Sequence, residues 1–345
     1  MRCHPVLQAA IVLSLLLSAC GSAQPTATPS APDVQLKKAA SLDVPDSFIN
    51  TVVFSPDGGT LFTADRNGEV LRWERDTWAK TILAPARSTR AEDDAASVYF
   101  WGTMALSPDG RVLATAYGDS GEVTALDPAG QELYRFSLGA RVYSVAISPD
   151  GRYLAVAGLK KSVLVVDPVT GRQIADLQSE GEETYILAFS PDSRTLLASY
   201  RLPEKVLTLW DTATWGATQT LSPPLEPNNG HHGVVFTPDG RQLVIASTEP
   251  VEIKFLDPAT GQFVRELPQH TRAPYQLAFS PDGGLLASAA DDGTMRLFDL
   301  RTGANVKTVS VLRQELGAVA FSPDGALVAF SVWGQGVQVY AVTRK

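Results

Sequence analysis

The feature that most constrains this chain is a phrase that it repeats. An apolar run, Leu277 to Phe279, is followed by S-P-D-G and then by a second apolar run, Leu285 to Ala290; nearly the same words return from Val319 to Phe330. The prolines of the seven copies are Pro56, Pro108, Pro149, Pro191, Pro238, Pro281 and Pro323, at intervals of 52, 41, 42, 47, 43 and 42 residues. The tetrapeptide reads as a type I turn, because Ser accepts local hydrogen bonds, Pro presets φ, Asp suits the third corner and Gly relieves crowding at the fourth. A phrase with this period marks a repeat architecture, in which no unit can bury its apolar face alone.

Each unit reads strand, tight turn, strand, and more follows. A polar turn such as Asp65 to Gly68 or Asp291 to Gly293 leads to a third strand, for instance Val70 to Trp73, Val163 to Val166 or Met295 to Phe298. A second turn, D-P-V-T-G at Asp167 and D-P-A-T-G at Asp257, leads to a weaker fourth strand, as in Gln173 to Leu177 or Phe263 to Leu267. The expected fold is all-β: a seven-bladed β-propeller of four-stranded antiparallel blades, whose radial repetition protects the sheet edges. The last unit runs out after its third strand, Val337 to Tyr340, and Val34 to Leu42 has strand character. That N-terminal strand is therefore expected to close the last blade. The surplus of the longest interval falls in a polar loop, Arg87 to Ser97.

The units resemble the WD40-repeat propellers from about Val34 to Val342. The naming dipeptide is literal at Trp210-Asp211; the same place holds Trp73-Glu74, Leu126-Asp127, Val166-Asp167, Leu256-Asp257, Phe298-Asp299 and Tyr340-Ala341. Blades three and five also resemble bacterial propellers of the YVTN type. The resemblance implies a buried relay of His, Ser or Thr, Asp and Trp. In blade six the relay falls on His270, Ser288, Asp292 and Phe298, and the Phe cannot donate the last hydrogen bond. The resemblance also implies interlocked closure of the ring, and binding of peptides at the rim of the central channel.

Met1-Arg2, the apolar stretch Val6 to Leu17 and the small residues after it read as a secretory signal, too short to span a membrane permanently. Leu17-Ser18-Ala19-Cys20 resembles the bacterial lipobox, which implies a signal peptide over 1–19 and a diacylglyceryl group on Cys20. Residues 20–33 form a tether, with Gly21 to Pro32 rich in Pro, Ser, Thr and Ala and uncharged. The propeller is assigned to 34–345. The expected location is extracytoplasmic, on a bacterial membrane, with the bilayer engaged through acylated Cys20. Cys3 would leave with the signal, so no disulfide could form. The remaining chain would hold 28 basic against 37 acidic residues, a balance that argues against nucleic acid as a partner.

The search for catalytic chemistry yields little. His231 and His232 are neighbours in an extended segment and point to opposite faces, a poor grip for one metal ion. Asp93-Asp94 and Glu182-Glu183 read as solvated loop charges, and D-R-N-G-E from Asp65 to Glu69 reads as a turn. No phosphate-cradling glycine loop, nucleophile elbow or cysteine metal spacing occurs. No cofactor or metal is therefore expected.

One alignment points to a binding surface. Six residues before each turn proline stand Asn50, Gly102, Tyr143, Tyr185, His232, Tyr275 and Gly317, so four consecutive blades place a ring at the channel rim. Two residues further back stand Phe48, Phe100, Arg141, Glu183, Gly230, Ala273 and Glu315. Tyr143, Tyr185, His232, Tyr275, Phe48, Phe100 and Arg141 form the expected ligand-binding mouth, with a protein or peptide as partner. The same rings could instead plug the channel. Two further readings stay open, a surface-polysaccharide binder that uses the tyrosines as stacking platforms and a propeller lyase or cofactor-dependent dehydrogenase.

Overall fold

The computed structural model describes residues 31–86, 103–117, 120–160, 162–178, 183–200, 206–221, 231–248, 250–268 and 270–344, with His231, His232 and Thr248 as backbone only. The expected signal peptide, Cys20, the tether as far as residue 30, the Arg87 to Ser97 loop, Phe100 and Gly102 lie outside the described residues.

Seven antiparallel sheets of four strands each stand around a channel. Blade one is Ile49–Phe54, Thr60–Asp65, Val70–Glu74 and Lys80–Ala84, counted outward from the channel, and blades two to six repeat that order along the chain. Blade seven combines Leu316–Phe321, Leu327–Val332 and Gly336–Arg344 with Val34–Asp43, which pairs antiparallel from Val34 opposite Arg344 to Asp43 opposite Gly336. The N-terminal strand thus closes the ring, as its sequence predicts. Contacts between successive inner strands run round the circle and return from Leu316–Phe321 to Ile49–Phe54.

The second strands are buried along their whole length, as in Leu285–Ala290 and Leu327–Val332, so each sheet buries both faces against its neighbours. The seven hydrophobic clusters accordingly lie at the seven boundaries between blades. Between blades five and six, for example, Val244, Phe255 and Leu267 pack on Leu277, Leu286 and Phe298. Stability in such a ring is a sum of neighbour interfaces, and closing it removes the two exposed ends.

The repeated turn knits the ring at the level of the backbone. In blade six the Ser280 carbonyl accepts the Gly283 N–H at 2.8 Å, the Ser280 hydroxyl oxygen accepts the Leu285 N–H at 2.8 Å, and that hydroxyl donates to Asp282 Oδ1 at 2.7 Å. The turn glycines have φ between 67° and 73°, where any side chain is strained. Each also stands over the proline ring of the preceding blade: a methyl on Gly110 would lie 3.2 Å from Pro56, and one on Gly58 would lie 3.6 Å from Pro323. Gly151, Gly240, Gly283 and Gly325 repeat the contact on Pro108, Pro191, Pro238 and Pro281. The Pro and the Gly of S-P-D-G therefore recur together because each turn rests on the next.

At the inner strands, where blades share no backbone ladder, side chains bridge the gaps. Thr103 Oγ1 accepts the Val145 N–H at 3.3 Å, Ser144 Oγ accepts the Leu187 N–H at 3.1 Å, and Gln276 Oε1 accepts the Val319 N–H at 2.7 Å. Among the described residues, two ion pairs cross the boundaries of the closing blade. Arg75 Nη2 of blade one lies 2.8 Å from Asp324 Oδ2 of blade seven, and Arg344 of blade seven binds Asp282 of blade six.

Candidate binding site at the channel mouth

The inner strands start at the end of the channel opposite the S-P-D-G turns, and there those of blades one and three to seven are bulged. Register slips between Ile49 and Thr51, Val142 and Ser144, Thr184 and Ile186, His231 and Gly233, and Pro274 and Gln276. The skipped residues are Asn50, Tyr143, Tyr185, His232 and Tyr275, the column read from the sequence. In blade seven the slip between Leu316 and Val319 skips Gly317 and Ala318. A bulged residue leaves the ladder and its side chain is re-aimed.

In blades one, three, six and seven the first residue of the loop after the second strand joins the residue two places before the column. The N–H groups of Arg66, Leu159, Asp291 and Trp333 donate to the carbonyls of Phe48, Arg141, Ala273 and Glu315 at 2.8 to 3.0 Å. Three rows of side chains therefore converge on one end of the channel.

The rings pack on each other across blade boundaries. Tyr143 and Tyr185 stack at 4.8 Å with 19° between planes, and the Tyr185 hydroxyl donates to Glu183 Oε2 at 2.5 Å. Tyr275 stacks on Trp333 at 5.4 Å, Trp333 tilts against Phe48 at 5.6 Å, and the Arg66 guanidinium covers Phe48 at 3.7 Å. Of the rim and the plug that the sequence leaves open, Tyr143 and Tyr275, only 4% and 5% exposed, take the geometry of a plug. The bulges turn them onto the neighbouring blade. Tyr185, Phe48 and Arg141 remain half-buried and reach solvent. The backbone of His232 holds its place in the column.

Trp333 is the mouth residue that sequence reasoning missed. It comes from a loop, outside the inner-strand column, and it occupies the space that Gly317 leaves empty: a methyl on Gly317 would lie 2.3 Å from the indole Nε1. A large ring immediately after a second strand whose own inner strand carries Gly in the column was the available signal. The charged groups beside it are Asp291, with Arg272 Nη2 at 2.8 Å, and Glu315. Burial, a hydrogen bond to Asp291 and repulsion from that carboxylate push the Glu315 pKa up to about 7, against the pull of Arg272.

The structure brings His270, Ser288 and Asp292 together at the edge of blade six. His270 Nδ1 lies 3.0 Å from Asp292 Oδ2 and Nε2 lies 2.6 Å from Ser288 Oγ. An ionised carboxylate only accepts, so Nδ1 carries the proton and Ser288 donates to Nε2. Thr294 adds a partner outside the sequence reading, its hydroxyl 2.5 Å from Asp292 Oδ1 and 3.1 Å from His270 Nδ1. Burial alone would raise the Asp292 pKa, but hydrogen bonds from His270, Thr294 and the Thr271 amide hold it well below the usual carboxylate range. The constellation has the order of a nucleophilic triad, yet Ser288 is 0% exposed within the second strand of blade six, so no substrate can reach its hydroxyl. Phe298 is buried beyond it without a polar contact to give. Blade one keeps the other end of such a relay, with Trp73 Nε1 donating to Thr63 Oγ1 at 3.3 Å.

The D-R-N-G-E segment is a turn: Asp65 Oδ1 accepts the N–H groups of Asn67 and Glu69 at 2.9 and 2.8 Å, and Ser47 donates to Oδ2. Among the described residues, no three His, Cys, Asp or Glu side chains come together to hold a metal ion.

Comparison with known proteins agrees with this geometry. The model of the WD domain, G-beta repeat, matches residues 37–74, 130–167 and 261–299, each stretch running from an outer strand into the first three strands of the next blade. An uncharacterized WD repeat-containing protein, sll1491, of Synechocystis sp. is 34% identical over 40% of this chain and 39% of its own length. WD repeat-containing protein SL1-17 of Schistosoma mansoni is 31% identical over 50% of this chain and 55% of its own. Pre-mRNA-processing factor 19 of Oryza sativa subsp. japonica is 28% identical over 68% of this chain and 41% of its own. The chain thus spans between about two fifths and just over half the length of these relatives. It carries WD40 repeats, built into a seven-bladed β-propeller.

Proposed function

We propose that this propeller is a non-catalytic binding platform that recognises a protein or peptide at the channel mouth, and that acylated Cys20 holds it on the outer side of a bacterial membrane. The observation that carries the reading is the row of bulges at Asn50, Tyr143, Tyr185 and Tyr275, which re-aims side chains of four blades to a single end of the channel. There Tyr185 and Phe48 reach solvent above the stacked Tyr143, Tyr275 and Trp333, between the charged groups of Arg66, Arg141 and Glu183. Partly exposed aromatic rings on rigid supports, flanked by Arg, are frequent hot spots of recognition. The similarity to WD repeat-containing proteins supports a binding role over a catalytic one, and L-S-A-C with the uncharged tract after it supports the anchor.

Two experiments test the two halves of the reading. Partners captured from membranes on the immobilised protein are identified by mass spectrometry, and capture is repeated with Tyr185→Ala and Arg141→Ala together. A loss of at least about tenfold is expected, in line with two contacts of roughly 1 kcal/mol or more. Thr170→Ala with Thr260→Ala, in turns at the other end of the channel, should leave capture unchanged; the reverse pattern overturns the assignment of the mouth. For the anchor, Cys20→Ser should move the protein from the membrane to the soluble fraction. Equal partition of parent and variant, with no labelled palmitate in the parent, overturns it.

A further inference from the structure

Among the described residues, a buried carboxylate oxygen at the mouth meets no donor. Asp291 Oδ2 takes the Arg272 guanidinium at 2.8 Å, while Oδ1 is shut off from solvent with no N–H or O–H against it. The side chain within hydrogen-bonding reach is Glu315 of the neighbouring blade, a second carboxyl. Two carboxylates can only repel; a carboxylic acid and a carboxylate make a short, strong hydrogen bond. An orphaned buried oxygen costs about 1 to 3 kcal/mol, and a proton on Glu315 removes that cost.

We propose that Glu315 and Asp291 share a proton and so form a proton-operated latch between blades six and seven at the channel mouth. The charged groups that face Glu315 are Asp291, from the loop after the second strand of blade six, and Arg272, from the segment before its inner strand. The loop Trp333 to Gln335 also packs on Glu315, through the Trp333 N–H on the Glu315 carbonyl at 3.0 Å, and brings no titratable side chain. Beyond it, the Arg66 guanidinium is held over Phe48. The raised pKa of Glu315, about 7, agrees with a proton kept at neutral pH.

The latch has a lever. Trp333 is fixed to Glu315 by its own backbone, stacks on Tyr275 of blade six and leans on Phe48 of blade one. When Glu315 loses its proton, two carboxylates are left with one guanidinium between them. They push the blade six and blade seven loops apart, and the indole moves with them. The sign for stability follows from linkage: the folded protein keeps a proton that an unfolded Glu releases near pH 4, so the stability supplied by this group falls as pH rises from about 4 to about 7. The device is independent of what the mouth binds, and its test uses no partner.

The full chain is titrated from about pH 5 to about pH 9, and the emission of Trp333 is isolated as the difference between parent and Trp333→Phe. A single-proton transition centred near pH 7 is expected. It should vanish in Glu315→Gln, whose amide donates to Asp291 at every pH, and move to lower pH in Asp291→Asn, where burial alone still raises the Glu315 pKa. A parent without a transition between about pH 6 and 8, or a transition that survives Glu315→Gln, overturns the proposal. Should Trp333→Phe fail to fold, the side-chain carboxyl resonance of Glu315 serves instead, assigned as the signal missing from Glu315→Gln in 13C-Glu-labelled protein. A Glu315 pKa under 5 by that measurement likewise overturns the latch.

Discussion

The Ser193 hydroxyl oxygen accepts the backbone N–H of Asp150 at 2.9 Å, across the boundary between blades three and four. This is the place in the ring of turns where the glycine is missing. Ser193 keeps the glycine conformation, with φ 61°, and its side chain reaches the preceding turn that a glycine would simply rest on. Strain and hydrogen bond are of similar size, each about 1 kcal/mol. Ser193→Gly should therefore change stability by less than about 0.5 kcal/mol, because relief of strain offsets the lost bond. Ser193→Ala keeps the strain and loses the bond, and should cost roughly 1 kcal/mol more than the glycine variant in denaturant unfolding. Equal stability of the two variants would show that the hydroxyl contributes nothing.

The buried network of blade six makes a prediction about acid. Asp292 has a folded pKa well below that of the unfolded chain, so its contribution is fully present above about pH 4 and is lost as pH falls through the folded value. Asp292→Asn removes the charge and leaves His270 Nδ1–H and the Thr294 hydroxyl with a weaker acceptor. A loss of about 1 to 3 kcal/mol at pH 7 is expected, shrinking at pH 2 and below. A loss that is the same at both ends of the titration rules out the carboxylate as the source.

Closure of the ring rests on apolar burial more than on charge. Leu42, in the N-terminal strand, is buried among Val44, Ile49, Val337 and Val339 at the junction of blades seven and one. Leu42→Ala should cost about 2 to 4 kcal/mol, and deletion of Val34 to Leu42 should leave a protein that melts far lower or aggregates. The Arg75–Asp324 pair beside the same junction is half exposed, so Arg75→Ala should cost under about 1 kcal/mol. Hydrogen bonds from the Ser322 hydroxyl and Ala326 amide, with Arg75, hold Asp324 at about 2. The difference between parent and Arg75→Ala should accordingly be full above about pH 4 and fade towards pH 2. A closing strand whose loss leaves the melting temperature unaltered is incompatible with this account.

Much of this was legible because the repeat is a physical necessity. A turn that must rest on its neighbour keeps its Pro and Gly, and strands with both faces buried stay apolar, so blade number, strand order and the closing segment could be read from Pro56 to Pro323 and from Val34 to Leu42. The column of Tyr143, Tyr185 and Tyr275 was also readable, since equivalent positions in a repeat reach equivalent places. Which of the rings plug the channel and which reach solvent was not. A bulge is a slip of register between two strands, such as that at Val142 and Ser144, and it leaves no residue type behind to announce it. Nor could Trp333 be found by a count along inner strands, because it fills from a loop the space that Gly317 leaves. The Thr294 hydroxyl joined the His270 network by the same route, through a fold contact at a position where many residues would suit a strand start.

The fit between Gly317 and Trp333 gives the sharpest test of the mouth. Trp333 is 6% exposed, stacked on Tyr275 and in contact with Phe48, so its indole is the joint through which blades six, seven and one meet at this end. A methyl on Gly317 would lie 2.3 Å from the indole nitrogen, 3.0 Å from the Ile49 carbonyl oxygen and 3.1 Å from Ser331 Oγ. The latter two belong to backbone and to a hydroxyl that already accepts the Ala318 N–H at 2.8 Å, so the ring must give way. Gly317→Ala should therefore cost about 1 to 3 kcal/mol, as overpacking does, and should raise quencher access to Trp333. Trp333→Ala empties the same space and should cost about 3 to 5 kcal/mol. In the double variant Gly317→Ala with Trp333→Ala the new methyl no longer meets an indole, so the loss should be smaller than the sum of the two by at least about 1 kcal/mol. Strict additivity of the two losses would mean that the indole does not occupy the place of the missing side chain, and the continuous arc from Tyr275 to Phe48 would have to be abandoned.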